Sequence, residues 1–242
     1  MRAFKFWIRY LFLRLVAPNA RVTLEFKLLV LLNQARVKSG LKKLFFASDL
    51  RFVARKHSQD MARNDYFAHD NLSGHSPKKR FENNSLSEVV AGENLAMNRG
   101  FKNPTQKAHD GLMNSPGHRA NILSKVYNCV GIGLAISQDK TYYFTQNFSY
   151  KIFRVLSHSK MLWISSYCKL KLRKTDESKS YAKVRVIVKN YLDEVVLDQD
   201  FDFKYTTVKI TVPLLKSGKY SVELVDPLRN FVVNKFKVQK VF

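Results

Sequence analysis

An α+β region followed by an all-β one is what this sequence predicts. Apolar residues recur at helical spacing through 28–61, two strand patterns lie between 130 and 148, and after about 155 no segment keeps a helical period. Boundaries near 24 and 152 give an N-terminal segment 1–23, a mixed domain 24–152 and an Ig-like β-sandwich over 153–242.

The first twenty residues carry Arg2, Lys5 and Arg9 on one helical face, with Phe4, Trp7, Ile8, Leu11, Phe12 and Leu15 on the other. That is the pattern of a basic amphipathic helix lying on a membrane surface, so residues 1–22 are a candidate for peripheral membrane contact. Arg9 and Arg14 interrupt the apolar stretch, which leaves it short of the roughly 7–15 residues of a secretory core, and no convincing signal peptide results.

Leu28, Leu29, Leu32 and Ala35 form the apolar face of a helix that stops at Ser39-Gly40. Ser48 is placed to cap a second helix, with Leu50, Val53, Ala54, His57 and Met61 on its buried side. Residues 65–92 are polar and predict a long loop with at most a short helix, and loops of that length are commonly functional. A third helix is expected near Thr105 to Met113, and a fourth begins at Ser115-Pro116, where proline suits the first turn. Strands follow at Val130–Ile136 and Tyr142–Phe148, the second alternating around Tyr143, Thr145 and Asn147. Beyond 155, segments 162–172, 182–189, 194–201, 206–213, 219–226 and 230–241 are rich in β-branched and aromatic residues, with turns at Lys216-Ser217-Gly218 and Asp226-Pro227.

Composition excludes several classes. Two cysteines, Cys129 and Cys168, are too few for a disulfide scaffold or a four-thiolate zinc site, and no apolar run approaches the roughly 18 residues of a spanning helix. The net charge of +23 is spread as +13 over 1–150 and +10 over the remainder. Such a field attracts polyanions, whether anionic lipid or an envelope polymer. No nucleic-acid-binding motif accompanies it, so no specific nucleic-acid partner is expected.

Chemistry concentrates in the first domain. His118 falls in the first turn of the helix begun by Pro116, where the helix dipole keeps an imidazole neutral and able to bind a metal or accept a proton; the same position equally suits a residue that only holds the helix entry. His57 lies on the apolar face of its helix with Asp60 as the expected hydrogen-bond partner, the pattern of a structural histidine. His69 can pair with Glu93, which follows Gly92 at an expected tight turn. His75 sits in a mobile-looking Ser-Gly-His-Ser loop, and Cys129 is expected buried and inert. Gly131 and Gly133 are a lone pair within a strand and point to no phosphate site.

The order of these segments carries a resemblance. Asn33-Gln34-Ala35-Arg36, His57-Ser58 with Asp60-Met61, Tyr66-Phe67 with His69, Gly92-Glu93-Asn94-Leu95-Ala96, Ser115-Pro116-Gly117-His118-Arg119 with Asn121-Ile122-Leu123, Val130-Gly131-Ile132-Gly133 and Thr145-Gln146 with Phe148 together resemble the bacterial branch of the CAP superfamily, the cysteine-rich secretory, antigen 5 and pathogenesis-related proteins. The resemblance spans about 24–150. It implies an α–β–α sandwich around an antiparallel sheet with an open cleft. It also implies a tetrad of two histidines and two acids able to hold one divalent cation such as zinc. The matching positions here are His69, Glu93 and His118; the fourth falls at Ser115, and His57 or Asp60 is a candidate to fill the gap. A secreted or envelope-associated location is implied as well.

Three readings of function follow. The first is a non-enzymatic module whose cleft binds a lipid or cell-envelope ligand while the basic surface meets anionic partners. The second is a metal-dependent peptidase or esterase with Glu93 as general base. The third is a scaffold or effector that keeps the fold with a degenerate site.

Overall fold

The computed structural model describes residues 20–84, 86, 91–151, 153–158, 161–162, 167–174, 183–203, 207–214, 216–226 and 231–240. The expected amphipathic segment therefore lies outside the described residues as far as position 19. Two compact units emerge, one running to Phe81 and from 90 to Tyr150, the other from Lys151 onward together with 82–89.

In the first unit, helix α1 (Ala20–Lys38) buries Leu28, Leu29 and Leu32. It ends where Gly40 takes a φ of 71°, a left-handed stop that glycine adopts without strain. Strand β1 (Phe45–Phe46) precedes α2 (Ser48–Asn64), whose buried residues are Leu50, Val53, Ala54, His57, Ser58 and Met61. Ser48 is not its cap: Ala47 holds the extended cap position and no side chain caps the helix. A short helix α3 (Pro77–Asn83) interrupts the polar stretch, followed by β2 (Ala91–Asn98), α4 (Pro104–Asn114), α5 (Pro116–Leu123), β3 (Cys129–Ile136) and β4 (Tyr142–Ser149).

The sheet has the order β1-β3-β4-β2. β3, β4 and β2 pair antiparallel, as the resemblance implies, whereas the two-residue β1 pairs parallel with β3. Strand parity assigns the two faces. Val130, Ile132, Leu134, Phe144 and Phe148 join Leu28, Leu32, Leu112 and Ile122 in one core, so α1, α4 and α5 cover that face. Gly131 and Gly133 project to the other, where a Cβ would collide with the α2 backbone. The glycines pointing to no ligand are thus the means by which a helix lies directly on a strand. Covering both faces also overrides the alternation expected in β4, whose residues 143–149 are all buried.

From Lys151 onward the regular elements among the described residues are all strands. β5 (Phe153–His158), β7 (Tyr167–Lys174) and β10 (Thr207–Pro213) form a sheet of order β10-β7-β5. β6 (Met161–Leu162), β8 (Lys183–Lys189), β9 (Val195–Asp202), β11 (Gly218–Asp226) and β12 (Phe231–Lys240) form another, of order β6-β12-β11-β8-β9. Cys168, Leu170 and Leu172 alternate with exposed neighbours in β7, as do Val184, Val186 and Val188 with less buried ones in β8, giving each sheet one apolar face. β5 precedes the first strand-rich segment read from the sequence, 162–172; its Phe153–His158 register against β7 makes it a strand.

Candidate functional site

Glu93 is the centre of the polar cluster. It lies within β2, opposite Asn147 of β4, and not at the tight turn expected from Gly92. Glycine is required there for a different reason: a Cβ at 92 would collide with the Tyr127 hydroxyl and stand 3.3 Å from Asn121 Oδ1. The Glu93 side chain is only 2% exposed. Its Oε1 is 2.9 Å from His69 Nδ1, and its Oε2 accepts from Arg80 Nη2 at 2.5 Å. Asn147, with its amide turned to satisfy both neighbours, donates to Oε2 at 3.0 Å and accepts from the Ala54 N–H at 3.2 Å.

Arg80 belongs to α3 and also donates through Nη1 to the carbonyls of His69 (2.6 Å) and His75 (2.9 Å). Within the loop, Asn71 Oδ1 accepts from the N–H groups of Ser73 and His75, and the Asn71 N–H donates to the His75 carbonyl at 3.1 Å. The segment expected to be mobile is therefore a hydrogen-bonded turn, and His75 is half-buried in it. The His69 ring is 52% exposed. Its hydrogen bond to Glu93 raises its pKa above the ordinary imidazole value, with partial burial working the other way.

His118 is the third residue of α5. Its carbonyl accepts from Asn94 Nδ2 at 3.0 Å, and the same amide group donates to Gln146 Oε1 at 3.1 Å. Adjacent residues of β2 thus fix the two histidines, Glu93 through the His69 ring and Asn94 through the His118 backbone. The pKa of His118 is lowered, as expected, but partial burial is the first cause and the nearby His69 the second. Ser115 occupies the N-cap position of α5 without a side-chain capping bond, its carbonyl accepting from Arg119 N–H at 2.8 Å.

The expected replacements for a fourth ligand are engaged elsewhere. His57 is 1% exposed and its Nε2 lies 3.0 Å from the Ala68 carbonyl. Asp60 accepts from the Tyr66 hydroxyl at 2.5 Å and from Asn64 Nδ2 at 2.8 Å, so the expected His57–Asp60 pair does not form. Cys129 is buried, its thiol directed at the Ser149 carbonyl at 3.2 Å. A separate cavity of about 620 Å³, lined among others by Arg21, Gln59, Arg63, Asp65 and Asp139, contains none of these residues.

Residues 29–148 match the cysteine-rich secretory protein family, CAP. They form a CAP domain. This domain is 40% identical over 128 residues to the uncharacterized membrane protein YlbC of Bacillus subtilis, a match covering 53% of this chain and 35% of that one. It is 38% identical over 117 residues to the uncharacterized protein YkwD of the same organism, covering 48% and 44%. Among solved structures, an extracellular protein of Bacillus anthracis containing an SCP domain matches at 30% identity and a TM-score of 0.48, covering 54% of this chain and 41% of the other. An outer surface protein of Borrelia burgdorferi matches at 21% identity and a TM-score of 0.47, covering 51% and 89%. The chain thus spans less than half the length of the curated relatives it matches.

Glu93 does not offer a divalent cation a free carboxylate oxygen. Both oxygens of Glu93 are engaged by side-chain donors, and a full positive charge already lies against Oε2. A cation would require oxygen lone pairs at roughly 2.0–2.2 Å, in the space these donors fill. Among the described residues, no group of three His, Cys, Asp or Glu side chains is disposed to hold a metal ion.

Nothing in the sequence assigned a site role to Arg80, and Asn147 stood out only in the alternation of its strand. Arg80 ends the run Pro77-Lys78-Lys79-Arg80, which looks like a solvated basic face; burial alone separates it from its neighbours.

Proposed function

We propose that this CAP domain is a non-enzymatic binding module for a lipid or cell-envelope ligand, with the chain's basic surface adding attraction to anionic partners. The observation that carries the reading is the state of Glu93, whose oxygens are held by Arg80 and His69. A general base needs a lone pair turned toward water or substrate, and a carboxylate already accepting from a guanidinium and an imidazole is a poor one. The hydrolase reading therefore stands second. The half-exposed His69 and the partly buried His118 remain as hydrogen-bonding groups for a ligand. The net charge of +23 supplies non-specific attraction. An envelope location accords with this. One curated relative is described as a membrane protein, and among the described residues no helix is long and apolar enough to cross a membrane.

The test is co-sedimentation with phosphatidylglycerol vesicles, phosphatidylcholine vesicles and purified cell-wall polymer, at about 0.05 M and about 0.5 M salt. Binding to an anionic partner that weakens at high salt, with a residual fraction lost in His69→Ala/His118→Ala, is the expected result. Absence of binding to all three overturns the proposal. Binding indifferent to the histidine variants reduces it to surface charge and leaves the domain a scaffold.

A further inference from the structure

A carboxylate as enclosed as that of Glu93 demands a countercharge, since an ionised group removed from water is stable only when paired and hydrogen-bonded. Here the countercharge comes from the chain itself. The Arg80 side chain is 8% exposed, and its fork is divided between two tasks. Nη2 neutralises Glu93 at 2.5 Å, while Nη1 bridges the carbonyls of His69 and His75 and so fastens both ends of the 69–75 loop. A guanidinium is suited to both tasks together: it stays charged at every accessible pH and directs several donors in fixed directions.

We propose that Arg80 is the resident cation of this site, supplying the charge that a metal ion would bring to a histidine–carboxylate cluster. The arrangement of His69, Glu93 and the 69–75 loop is then complete without a metal, and Arg80 is the positioning residue for His69. A dication brought to Glu93 would meet the guanidinium at Oε2 and the His69 Nδ1 at Oε1, within a chain of net charge +23. The proposal shares the Glu93–Arg80 ion pair with the functional reading above but needs no ligand, so a failure of vesicle or polymer binding leaves it standing.

The test uses the full chain, followed by thermal unfolding and by zinc titration in a calorimeter. Wild type is expected to show no saturable zinc binding that depends on His69, and no change of melting temperature with chelator. Arg80→Met is expected to lower the melting temperature by roughly 10 °C or more and to strip hydrogen-exchange protection from residues 69–75. Adding Glu93→Gln should recover at least half of that loss, because the uncompensated charge goes with it. In Arg80→Ala, millimolar methylguanidinium should raise the melting temperature while methylurea, of the same shape and neutral, should not. A purely space-filling role for Arg80 would let both restore it equally, which would overturn the proposal. So would micromolar zinc binding by wild type that disappears in His69→Ala. If Arg80→Met does not fold, a folded Arg80→Met/Glu93→Gln protein supports the assignment, and failure of both to fold contradicts it.

Discussion

Gly133 lies against Ala54 so closely that any side chain at 133 would meet the Ala54 carbonyl and the Arg55 N–H. Gly131 stands in the same relation to Leu50 and Arg51 one helical turn earlier. The pair gives α2 its seat on β3, and α2 in turn leads into the loop that carries His69.

Gly133→Ala therefore forces backbone apart from backbone, with no flexible side chain to give way. The expected loss is about 3 kcal/mol, at the upper end of overpacking effects. Urea unfolding monitored by circular dichroism measures it. A variant within about 0.5 kcal/mol of wild type, the spread of ordinary surface substitutions, would remove the close-approach account.

Glu25 of α1 is 2% exposed and accepts from Arg51, from Arg55 and from the Leu134 N–H at 3.1 Å. Beyond Val130, β3 has no strand paired on that side among the described residues, so this carboxylate blunts a sheet edge. Glu25→Ala is expected to lower stability by about 3 kcal/mol and to increase self-association as the edge is uncovered. Denaturant unfolding and sedimentation velocity give the two readouts, and an unchanged midpoint with a monomeric profile would refute it.

Arg36, also 2% exposed, donates through Nη1 to the carbonyls of Ile122 (2.8 Å) and Ser124 (2.7 Å) and through Nε to that of Lys42 (2.9 Å). It thereby closes the C-terminal end of α5, the helix that bears His118. Arg36→Lys keeps the charge but loses the fork, leaving the buried Ile122 carbonyl and the part-buried Ser124 and Lys42 carbonyls short of donors. A loss of roughly 2 kcal/mol is expected, with faster hydrogen exchange across 116–123. Wild-type exchange rates in that helix would count against the assignment.

Acid sensitivity should come from His57 and His109. Both are buried, at 1% and 9% exposure, neither Nδ1 has a hydrogen-bond partner among the described residues, and burial lowers both pKa values from 6.5. The folded protein then holds fewer protons than the unfolded chain, so stability falls as pH drops from about 6.5 through the folded values. His69 acts in the opposite sense: its raised pKa contributes stability that is complete below 6.5 and fades as pH rises through the folded value. That contribution is screened because the ring is half exposed, and the two enclosed histidines decide the sign. Unfolding midpoints at about pH 5.5 and 7.5 should show the protein weaker in acid, and His57→Gln/His109→Gln should flatten the difference. Equal midpoints in wild type would dispose of the idea.

Much of the first unit was legible because its helices announce themselves locally. Leu28, Leu29 and Leu32, and then Leu50, Val53, Ala54, His57 and Met61, keep the 3.6-residue period of an apolar face, and all of them are buried. The strand β2 was not legible. Ala91–Asn98 mixes Gly, Glu and two Asn, and it is a strand because it pairs along its whole length with β4. Nor could the sequence separate Arg80 from Lys78 and Lys79, since burial of one cation in a basic run depends on a carboxylate thirteen positions away.

What the sequence determined by itself was the residue chemistry and its order: a CAP domain over 29–148, an excess of positive charge, and the histidines and acid from which a site is assembled. Tertiary structure decided how that chemistry is spent. Whether Glu93 is a ligand, a base or half of an ion pair depends on which donors lie within about 3 Å of its two oxygens, and those donors come from a loop, a short helix and a neighbouring strand. Local periodicity follows from backbone geometry and can be read along the chain, whereas a pairing of charges falls off steeply with distance and exists only once the chain has folded.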